Sequence, residues 1–405
     1  MRSIRTNRNC QDYIYELRGQ TLSAMVALKL GVKDPEDNGL PVLARDTEQA
    51  AGINSKTESR KFFISRERNL WLSLILLLGC YSAVLFPAFL AKEQLVWDNG
   101  SAQNRDTVLL NRSAAFLSRA CRLGWCGERL RATALCPRLP GVRAFLQEAH
   151  APWTHPPPLG LQGSEDRADR ALKVLPQTGP PPRFGGGACS RCVVVGSGGV
   201  LQGRGLGAHI DQYDIIIRMN NAPVYGFERD AGSRTTIRLM YPEGAPRSYR
   251  EYRNTSLVVL VVFKGLDLDW LASVVSKERL DWWSKLWFWR EVVDSIPLQP
   301  ENFRILNPEI ILQTGLALQA YTKQPRQTMP TLGTSAVVMA LQLCDEVSLA
   351  GFGYDLTRPD APLHYYESLH MDAMRSQVVH DISVEKLFLR ELVMAQVVND
   401  LTGAL

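Results

Sequence analysis

The sequence predicts an α/β fold for the part of the chain that follows Cys189, and three features of that part support the prediction. Short runs of continuous apolar residues recur there, amphipathic segments separate them, and glycine, asparagine or basic residues follow several of the runs. Strands that are apolar on both faces are typical of a parallel sheet covered by helices on each side. We therefore predict one largely parallel sheet flanked by helices over residues 188–405.

The predicted elements of this domain alternate along the chain. Strands are expected at Cys192–Val195, Asp214–Arg218, Thr235–Met240, Leu257–Phe263, Phe303–Leu306 and Val347–Ala350. Helices are expected at Trp270–Lys277, Pro308–Tyr321, Ser335–Leu343 and Val384–Val398. The richest stretch is Cys192–Pro242, whose strand ends carry the glycine, asparagine and basic residues with which such sheets build anionic nucleotide sites.

A long apolar run lies far upstream of this domain. Residues 69–91 contain no charged side chain, and about 20 apolar residues suffice to cross a bilayer as a helix. We predict a membrane span there; a buried core helix is the alternative. Basic residues are more numerous before the run than after it, which predicts a cytoplasmic N-terminus and a lumenal C-terminal part.

The predicted span divides the rest of the chain. Residues 1–68 are interpreted as a cytoplasmic tail, and the proline-rich residues 92–187 as a lumenal stem and linker, with some helix near Val142–Glu148. The three glycosylation sequons, at Asn99, Asn111 and Asn254, all follow the span. Six of the eight cysteines follow it too, and an oxidising lumen favours disulfides.

Composition excludes little. The 405 residues are 45% hydrophobic, enough for a sizeable core, and a net charge of +5 does not indicate a nucleic-acid partner.

The turn Gly196–Gly199 allows backbone amides to approach a phosphate or ribose. A dinucleotide fingerprint needs glycine where Leu201 stands, so a nucleotide-dependent oxidoreductase is a distant alternative. Val195 likewise breaks the pattern of a hydrolase nucleophile elbow.

Two carboxylates, Asp267 and Asp269, match a D-x-D pair that could hold a metal and a nucleotide diphosphate. Because an apolar helical run follows, we interpret Asp269 as a helix N-cap. Cys189 and Cys192 lack a second close pair, so a zinc site is disfavoured as well.

The C-terminal third holds His364, His380 and, five residues on, Glu385. Histidine titrates near neutral pH and suits proton abstraction, and a following carboxylate can orient its ring. These residues are therefore candidates for acid–base chemistry.

Together the motifs resemble the animal sialyltransferases, which transfer sialic acid from CMP-sialic acid. The resemblance covers about Cys189 to Gly403 and includes four motifs in order: Cys192–Tyr241, Pro330–Tyr354, His364–Glu367 and His380–Glu385. RMNNAPV, YPEGAP, RILNP and PLHYYE are similar to the α-2,3 group that acts on galactose.

The resemblance implies a glycosyltransferase-A-like variant with one Rossmann-like sheet, in a single-pass type II Golgi membrane protein that can form homo-oligomers. It implies CMP-sialic acid as donor, no metal or other cofactor, and transfer to the 3-hydroxyl of a terminal galactose. Lactosylceramide, a glycolipid, is the expected acceptor, with N-acetyllactosamine glycans as the alternative. An inactive lumenal binding protein is a further alternative, which the presence of all the motif residues disfavours.

The resemblance also assigns roles to individual residues. His380 would be the general base, and His364, with Tyr365, would lie near the CMP phosphate. The cytidine and ribose contacts would come from Ser197, Asn220, Thr331, Gly333 and Gly353. A family disulfide would join Cys192 to Cys344, and Cys189 would pair with Cys121, Cys126 or Cys136.

One segment, Asp281–Trp289, has four tryptophans in eight residues: Trp282, Trp283, Trp287 and Trp289. Tryptophan favours both aromatic cores and membrane interfaces. The segment therefore either packs as a core face or leans on the bilayer and helps to present a ceramide-linked acceptor.

Overall fold

The structure is a computed structural model that describes residues 106–133, 139, 141–181, 189–322, 329–376 and 379–405. The predicted tail, the predicted span over residues 69–91 and the sequon at Asn99 lie outside these residues. Within the described residues, no helix is both long and apolar enough to cross a membrane.

The core of the fold is a parallel sheet of seven strands, in the order β5-β4-β3-β2-β1-β6-β7. The strands are β1 Arg191–Val195, β2 Ile215–Met219, β3 Thr235–Met240, β4 Thr255–Leu260, β5 Phe303–Ile305, β6 Glu346–Ala350 and β7 Val398–Asp400. The first six confirm the predicted strands to within a few residues. The seventh was not predicted: its first residue, Val398, falls at the end of the predicted helix Val384–Val398, and Asn399 and Asp400 belong to no predicted element.

Helices cover both faces of the sheet. They span Trp125–Ala132, Glu165–Lys173, Gly207–Ile210, Glu228–Ala231, Gly265–Ser276, Trp282–Lys285, Pro308–Gln319, Leu332–Leu343 and Ile382–Met394, and residues 106–118 are helical as well. Short 3-10 helices lie at Gly199–Leu201, Pro242–Gly244, Tyr249–Tyr252, Pro300–Asn302 and Met371–Ser376. The predicted mostly parallel, helix-flanked sheet is thus confirmed.

The region expected to be a stem without a core differs from that expectation in its described part. Cys126, Phe145, Leu161 and Ala168 are at most 2% exposed and belong to the hydrophobic core. The helix expected near residues 142–148 is absent; that segment is extended and Leu146 donates its amide to Ile305 at 2.9 Å. Scattered apolar residues among prolines gave no periodic signal, so their burial could not be read from the sequence.

One disulfide ties this N-terminal layer to the chain just before β1, and a second joins β1 to the end of the helix Leu332–Leu343. Cys192 pairs with Cys344, as the resemblance implied, and Cys189 pairs with Cys121. Cys126 is a buried free thiol whose Sγ donates to the carbonyl of Val397 at 3.1 Å. Cys136 lies outside the described residues.

The tryptophan-rich segment is not a core face. Trp282, Trp283 and Trp287 are 60%, 62% and 74% exposed, whereas Trp270 in the neighbouring helix is 1% exposed. Phe288 alone turns inward, at 7% exposure. The aromatic-core alternative is therefore wrong for these tryptophans.

Candidate active site

The candidate site lies at the edge of the sheet where the parallel strands end. β1 pairs with β2 on one side and with β6 on the other. Strands β2 to β5 follow one another away from β1 in one direction and β6 and β7 in the other, so the strand order reverses between β1 and β6. Ligands of open parallel sheets bind in the crevice beyond the carboxyl ends at such a switch point. The loops that follow β1 and β6 therefore frame the expected donor site.

These two loops touch backbone to backbone through glycine. The Gly196 amide donates to the carbonyl oxygen of Ala350 at 2.7 Å, and the Gly198 amide donates to that of Gly351 at 3.0 Å. A Cβ on Gly196 would lie 2.5 Å from the carbonyl oxygen of Gly351, which itself has a φ of 74°. Only glycine permits this approach. The turn Gly196–Gly199, predicted to approach a phosphate or ribose, therefore also joins the loop after β1 to the loop after β6.

A third segment, 362–366, pairs with the first loop. Gly199 donates its amide to Leu363 at 2.9 Å, and Tyr365 donates its amide to Ser197 at 3.0 Å. The rings of His364 and Tyr366 stack on each other, whereas Tyr365 is buried against Phe227, so Tyr365 faces away from the other two.

Tyr365 faces the interior. It is 3% exposed, its ring packs edge-on against Phe227, and its hydroxyl donates to the carbonyl of Pro223 at 2.6 Å. In this geometry its hydroxyl is committed to the fold rather than offered to a phosphate. The expected donor contact at Tyr365 stays a prediction, and its neighbour lies on the other side of the segment.

Tyr366 is that neighbour. Its ring stacks on the imidazole of His364, with centroids 5.3 Å apart and planes within 6°, and burial raises the pKa of its hydroxyl group while the side chain of Ser197 acts against that shift. The Nδ1 of His364 contacts the carboxylate of Glu367, and because a carboxylate only accepts, Nδ1 carries a hydrogen. His364, Tyr366 and Ser197 therefore form one polar cluster at the end of β1.

Asn220 follows β2 and is held in an unusual conformation, with a φ of 47°. Its side-chain oxygen is buried without a hydrogen-bond partner among the described residues, and it lies so close to Gly244 that a Cβ there would be 2.4 Å away. A buried acceptor without a partner costs free energy unless a ligand satisfies it. Asn220 is thus available to a donor from the nucleotide.

Buried charges hold the Asn220 loop in place. The guanidinium of Arg238, on β3, donates to the carbonyls of Asn220 and Ala222 at 2.7 and 3.1 Å and pairs with Glu251 at 3.2 Å. Glu251 in turn accepts the amide of Val224 at 2.9 Å. Desolvation lowers the pKa of Arg238, but the nearby Glu251 opposes that shift and keeps the guanidinium charged.

The second half of the site comes from two helix starts. A helix between parallel strands runs antiparallel to them, so its N-terminus lies at the carboxyl edge of the sheet. The helix Leu332–Leu343 is capped by Thr331, whose hydroxyl accepts the amide of Thr334 at 3.2 Å. Phe352 lies between the halves, because Cβ atoms on Gly196 and on Gly333 would each be 3.2 Å from its ring.

His380 directly precedes the helix Ile382–Met394, which Asp381 caps through the amide of Val384 at 3.0 Å. The Nδ1 of His380 is 2.8 Å from the carbonyl oxygen of Met329. A carbonyl only accepts, so Nδ1 carries the hydrogen and Nε2 of the neutral ring carries the lone pair. This tautomer has the form that a general base requires.

The side chain of Glu385 binds the start of the helix Leu332–Leu343 and does not act only on the ring of His380. The carboxylate is 4% exposed and accepts the amide and hydroxyl of Thr331 at 2.6 and 2.5 Å and the hydroxyl of Thr334. Burial raises the pKa of Glu385, whereas these hydrogen bonds and the charge of His380 act against the shift. Glu385 thus couples Thr331 to His380 electrostatically.

The remaining predicted contact, Gly353, follows β6 with a φ of 98°, and a Cβ there would lie 2.4 Å from the carbonyl of Ala404. It is a packing position at the rear of the loop. The adjacent Tyr354 faces His364, at 6.5 Å between ring centroids, and its carbonyl accepts from Lys386 at 3.1 Å. The two halves of the site are thereby linked.

The D-x-D carboxylates are engaged elsewhere. Asp267, and not Asp269, caps the helix Gly265–Ser276: it accepts the amides of Phe263 and Lys264 at 2.8 and 3.1 Å. Asp269 pairs with Arg167 at 2.7 Å. Lys264 is the N-cap residue and Asp267, three residues later, completes a capping box with it, so the prediction of Asp269 as the N-cap was wrong.

Sequence reasoning missed Phe352, Tyr354 and Tyr366. Tyr366 could have been found from its spacing. It stands two residues after His364, and side chains that alternate along the chain put residues two apart on the same side. No sequence signal marks Phe352, whose position depends on the contact between loops far apart in the chain.

Comparison with known proteins defines the class of protein to which this site belongs. Residues 144–397 match the model of glycosyltransferase family 29, the sialyltransferases. The match covers more than half of the chain, so the chain belongs to this family.

Particular relatives narrow the comparison. The chain is 45% identical over 273 residues to human lactosylceramide alpha-2,3-sialyltransferase, a match that spans 66% of this chain and 65% of that protein. It is 41% identical over 306 residues, 73% of this chain and 81% of the relative, to the mouse CMP-N-acetylneuraminate-beta-1,4-galactoside alpha-2,3-sialyltransferase. The chain thus covers just under two thirds of the human relative.

Solved structures agree with the fold. A crystal structure of a mammalian sialyltransferase superposes with a TM-score of 0.55 at 27% identity, covering 70% of this chain and 98% of that one. A second, in complex with Gal-beta-1-3GalNAc-ortho-nitrophenol, gives a TM-score of 0.54 at 27% identity, covering 69% of this chain and 98% of the other.

Proposed function

We propose that this protein transfers sialic acid from CMP-sialic acid to the 3-hydroxyl of a terminal galactose, with lactosylceramide as acceptor. The observation that carries the proposal is the arrangement of His380 and the His364 cluster around the crevice between β1 and β6. Family membership supports the reaction class, and the 45% identity to a lactosylceramide enzyme supports the acceptor.

In the proposed reaction His380 is the general base. Its Nδ1 is held by the Met329 carbonyl, so Nε2 can take the proton from the galactose 3-hydroxyl. The oxygen then attacks the anomeric carbon of sialic acid while the bond from that carbon to the CMP phosphate oxygen breaks. A single displacement of this kind inverts the anomeric configuration.

The leaving CMP gains negative charge on its phosphate. His364 and Tyr366 lie on one side of the segment that pairs with the Ser197 loop, and together they offer donors to that charge. In this proposal the nucleoside is held by the start of the helix Leu332–Leu343, with Thr331 and Gly333. The side-chain oxygen of Asn220, which has no hydrogen-bond partner among the described residues, holds it as well.

We propose that the reaction needs no metal. A nucleoside monophosphate leaves with less charge than a diphosphate, and the carboxylates of Asp267 and Asp269 already bind Lys264 and Arg167. The rate should therefore be unchanged in excess EDTA.

A second acceptor class has a specific observation in its favour. The match to the β-1,4-galactoside enzyme extends over 306 residues, more than the 273 shared with the lactosylceramide enzyme. Transfer to N-acetyllactosamine glycans is therefore the alternative.

The test compares acceptors directly. The full chain is incubated with CMP-sialic acid and either lactosylceramide, N-acetyllactosamine or an O-glycan core, and products are identified by mass. We expect the highest kcat/KM on lactosylceramide. Preference for N-acetyllactosamine would replace the acceptor, and no product from any galactose-terminated acceptor would refute the function.

We also propose that the sheet is a variant of the glycosyltransferase-A fold in a single-pass type II protein of the Golgi membrane, with a lumenal catalytic domain. The uncharged run over residues 69–91 and the sequons after it support this topology, and both Asn111 and Asn254 are exposed. Digestion with an endoglycosidase should shift the mobility of the cellular protein, whereas the N111Q/N254Q variant should shift less.

A further inference from the structure

The exposed tryptophans form a surface that the proposed reaction does not explain. This surface, the tryptophan patch, consists of Trp282, Trp283, Leu286, Trp287 and Trp289, each at least 47% exposed. Trp282 and Trp283 stack on each other, with centroids 3.6 Å apart, instead of packing into the core. Five large apolar side chains within eight residues make an uncommon exposure for a soluble surface, and such a surface indicates a binding partner.

The segment that carries the patch is firmly anchored. Asp281 caps its helix by accepting the amide of Ser284 at 2.9 Å, and Phe288 is buried beneath it. The Trp270 indole donates to the carbonyl of Val293 at 2.8 Å. The exposed indoles therefore project from a fixed base.

The anchor points lie at the edge of the sheet that carries the active site. The ammonium group of Lys264, just beyond β4, lies 4.4 Å from the centre of the Phe288 ring and bonds Glu243, just beyond β3, at 2.8 Å. Arg247, in the loop after β3, pairs with Glu291 at 3.1 Å. A surface that docks on the patch would thus meet the carboxyl edge of the sheet.

The chain outside the described residues identifies the occupant. The apolar run ends at residue 91 and the described chain begins at residue 106, so residues 92–105 separate them. Fully extended, that segment reaches at most about 50 Å. A domain tethered this closely meets the bilayer surface at high effective concentration.

The chemistry of the patch fits a lipid interface. Tryptophan is enriched at the boundary between acyl chains and headgroups, where one end of the ring is apolar and the other is wet. Nearby charges pair with each other, as in Lys285 with Asp294 at 2.5 Å and Arg247 with Glu291. The exposed Arg290, whose guanidinium lies 5.5 Å from the centre of the Trp289 ring, adds a positive charge beside the patch.

We propose that the tryptophan patch docks on the bilayer and orients the catalytic edge toward acceptors embedded in that bilayer. This inference rests on the proposed function, because it makes the patch a device for reaching a glycolipid whose galactose lies at the membrane surface. A water-soluble acceptor with the same sugar gains nothing from the patch.

The first experiment uses the full chain reconstituted in phosphatidylcholine vesicles. Rates are compared for lactosylceramide in the same vesicles and for free lactose in solution, in the wild type and in W283S/W287S. The variant should lose about tenfold on lactosylceramide, because the two rings no longer hold the domain at the lipid interface, and less than twofold on lactose.

The matched control is L123S/M394S, which removes two exposed apolar side chains elsewhere on the surface. It should leave both rates within twofold of wild type. Equal losses on both acceptors in W283S/W287S would overturn the inference, because the indoles would then bind the sugar itself. Loss of a dimer in detergent, seen by sedimentation, would also overturn it, because the patch would then bind a second copy.

A second measurement does not depend on catalysis. Tryptophan fluorescence is recorded in vesicles of brominated and ordinary phosphatidylcholine for the wild type and for W283S/W287S. The emission that the two indoles contribute should be quenched by the brominated lipid; unquenched emission contradicts docking. If the wild type transfers to neither acceptor, the proposed function fails, and this quenching still decides the docking.

Discussion

At the residue scale, the hydrogen bond from Nδ1 of His380 to the carbonyl of Met329 decides which nitrogen can act as a base. The bond assigns the lone pair to Nε2, and the buried carboxylate of Glu385, whose pKa is raised by burial, lies in the first turn of the helix that follows. The residue thus has the tautomer that proton abstraction requires.

Replacing His380 with alanine should lower kcat by about 10²- to 10⁴-fold, the usual contribution of a general base. Binding of CMP, measured by calorimetry, should be unchanged, because the base acts on the acceptor. His370→Ala, at an exposed histidine, is the control and should retain activity. A His380→Ala enzyme of undiminished activity would refute the assignment.

The neighbouring tyrosines should respond differently to loss of the hydroxyl group. Tyr365→Phe leaves the Pro223 carbonyl without its donor and should lower the free energy of unfolding by about 1 kcal/mol. Tyr366→Phe removes the hydroxyl group on which Ser197 acts. It should raise the KM for CMP-sialic acid about two- to tenfold with little loss of stability. Urea denaturation and donor titration measure the two effects; the reverse pattern would restore Tyr365 as the donor contact.

At the element scale, the site depends on two strand ends that meet without side chains. Gly196 follows β1 and Gly351 follows β6, and each would place a Cβ 2.5 Å from the carbonyl oxygen of the other. The contact brings residues 155 positions apart into one crevice, so a change there acts on both halves of the site.

Gly351→Ala should therefore be far more damaging than Gly203→Ala. Both glycines have a φ near 75°, so alanine costs about 1–2 kcal/mol of backbone strain at either position. At Gly203 a Cβ meets nothing within 4 Å, whereas at Gly351 it collides with backbone and should cost a further 1–3 kcal/mol. Thermal unfolding and CMP affinity check this; equal stabilities would show that the loops can separate freely.

A second element, the helix Gly265–Ser276, should make stability depend on pH. Burial raises the pKa of Asp267, the capping-box residue of this helix, from its ordinary value of 3.8 to about 6, despite Lys264 beside it. The folded state therefore holds a proton that the unfolded state releases between these values, so this contribution to stability falls as pH rises from about 4 to 6.

Asp267→Asn should remove that dependence. The free energy of unfolding of the variant, relative to the wild type, should rise by up to about 3 kcal/mol between pH 4 and pH 6.5. Urea denaturation at several pH values measures it, and Asp269→Asn, at a partly exposed ion pair, is the control. Parallel curves for Asp267→Asn and wild type would contradict the raised pKa.

At the scale of the whole molecule, the N-terminal layer belongs to the folded domain. Arg119 and Arg122 pair with the buried Glu346 at 3.0 and 2.9 Å, at the start of β6. Arg129 donates to the carbonyl of Ala395 at 3.1 and 2.8 Å, next to β7. The described residues 119–129 thus cover the β6–β7 side of the sheet.

A chain that lacks residues 1–143, close to where the family match begins, should fold poorly. It loses the disulfide Cys121–Cys189 and two of the three arginines on Glu346, with a cost of about 2–5 kcal/mol for the disulfide alone. A chain that lacks only residues 1–105 is the matched control. Equal melting temperatures for the two would show that the layer is dispensable.

The parallel sheet and the reaction class could be read from the sequence because both depend on local patterns. Continuous apolar runs marked six strands, and the four motifs kept their order and spacing. β7, Phe352 and the packing of residues 108–181 could not be read. β7 has three residues and no periodicity, and the others depend on contacts between distant segments.

By itself, the sequence determined the family, the histidines and the Cys192–Cys344 pair, because motif residues are chemically distinctive in one dimension. Tertiary structure decided the rest. It put Tyr366 and not Tyr365 on the side of His364, and it bound the carboxylate of Glu385 to Thr331. It also made Asp267 part of the capping box of the helix Gly265–Ser276 and left the tryptophans exposed. Each of these depends on which face of a backbone segment meets its neighbour, and only the packed chain fixes that.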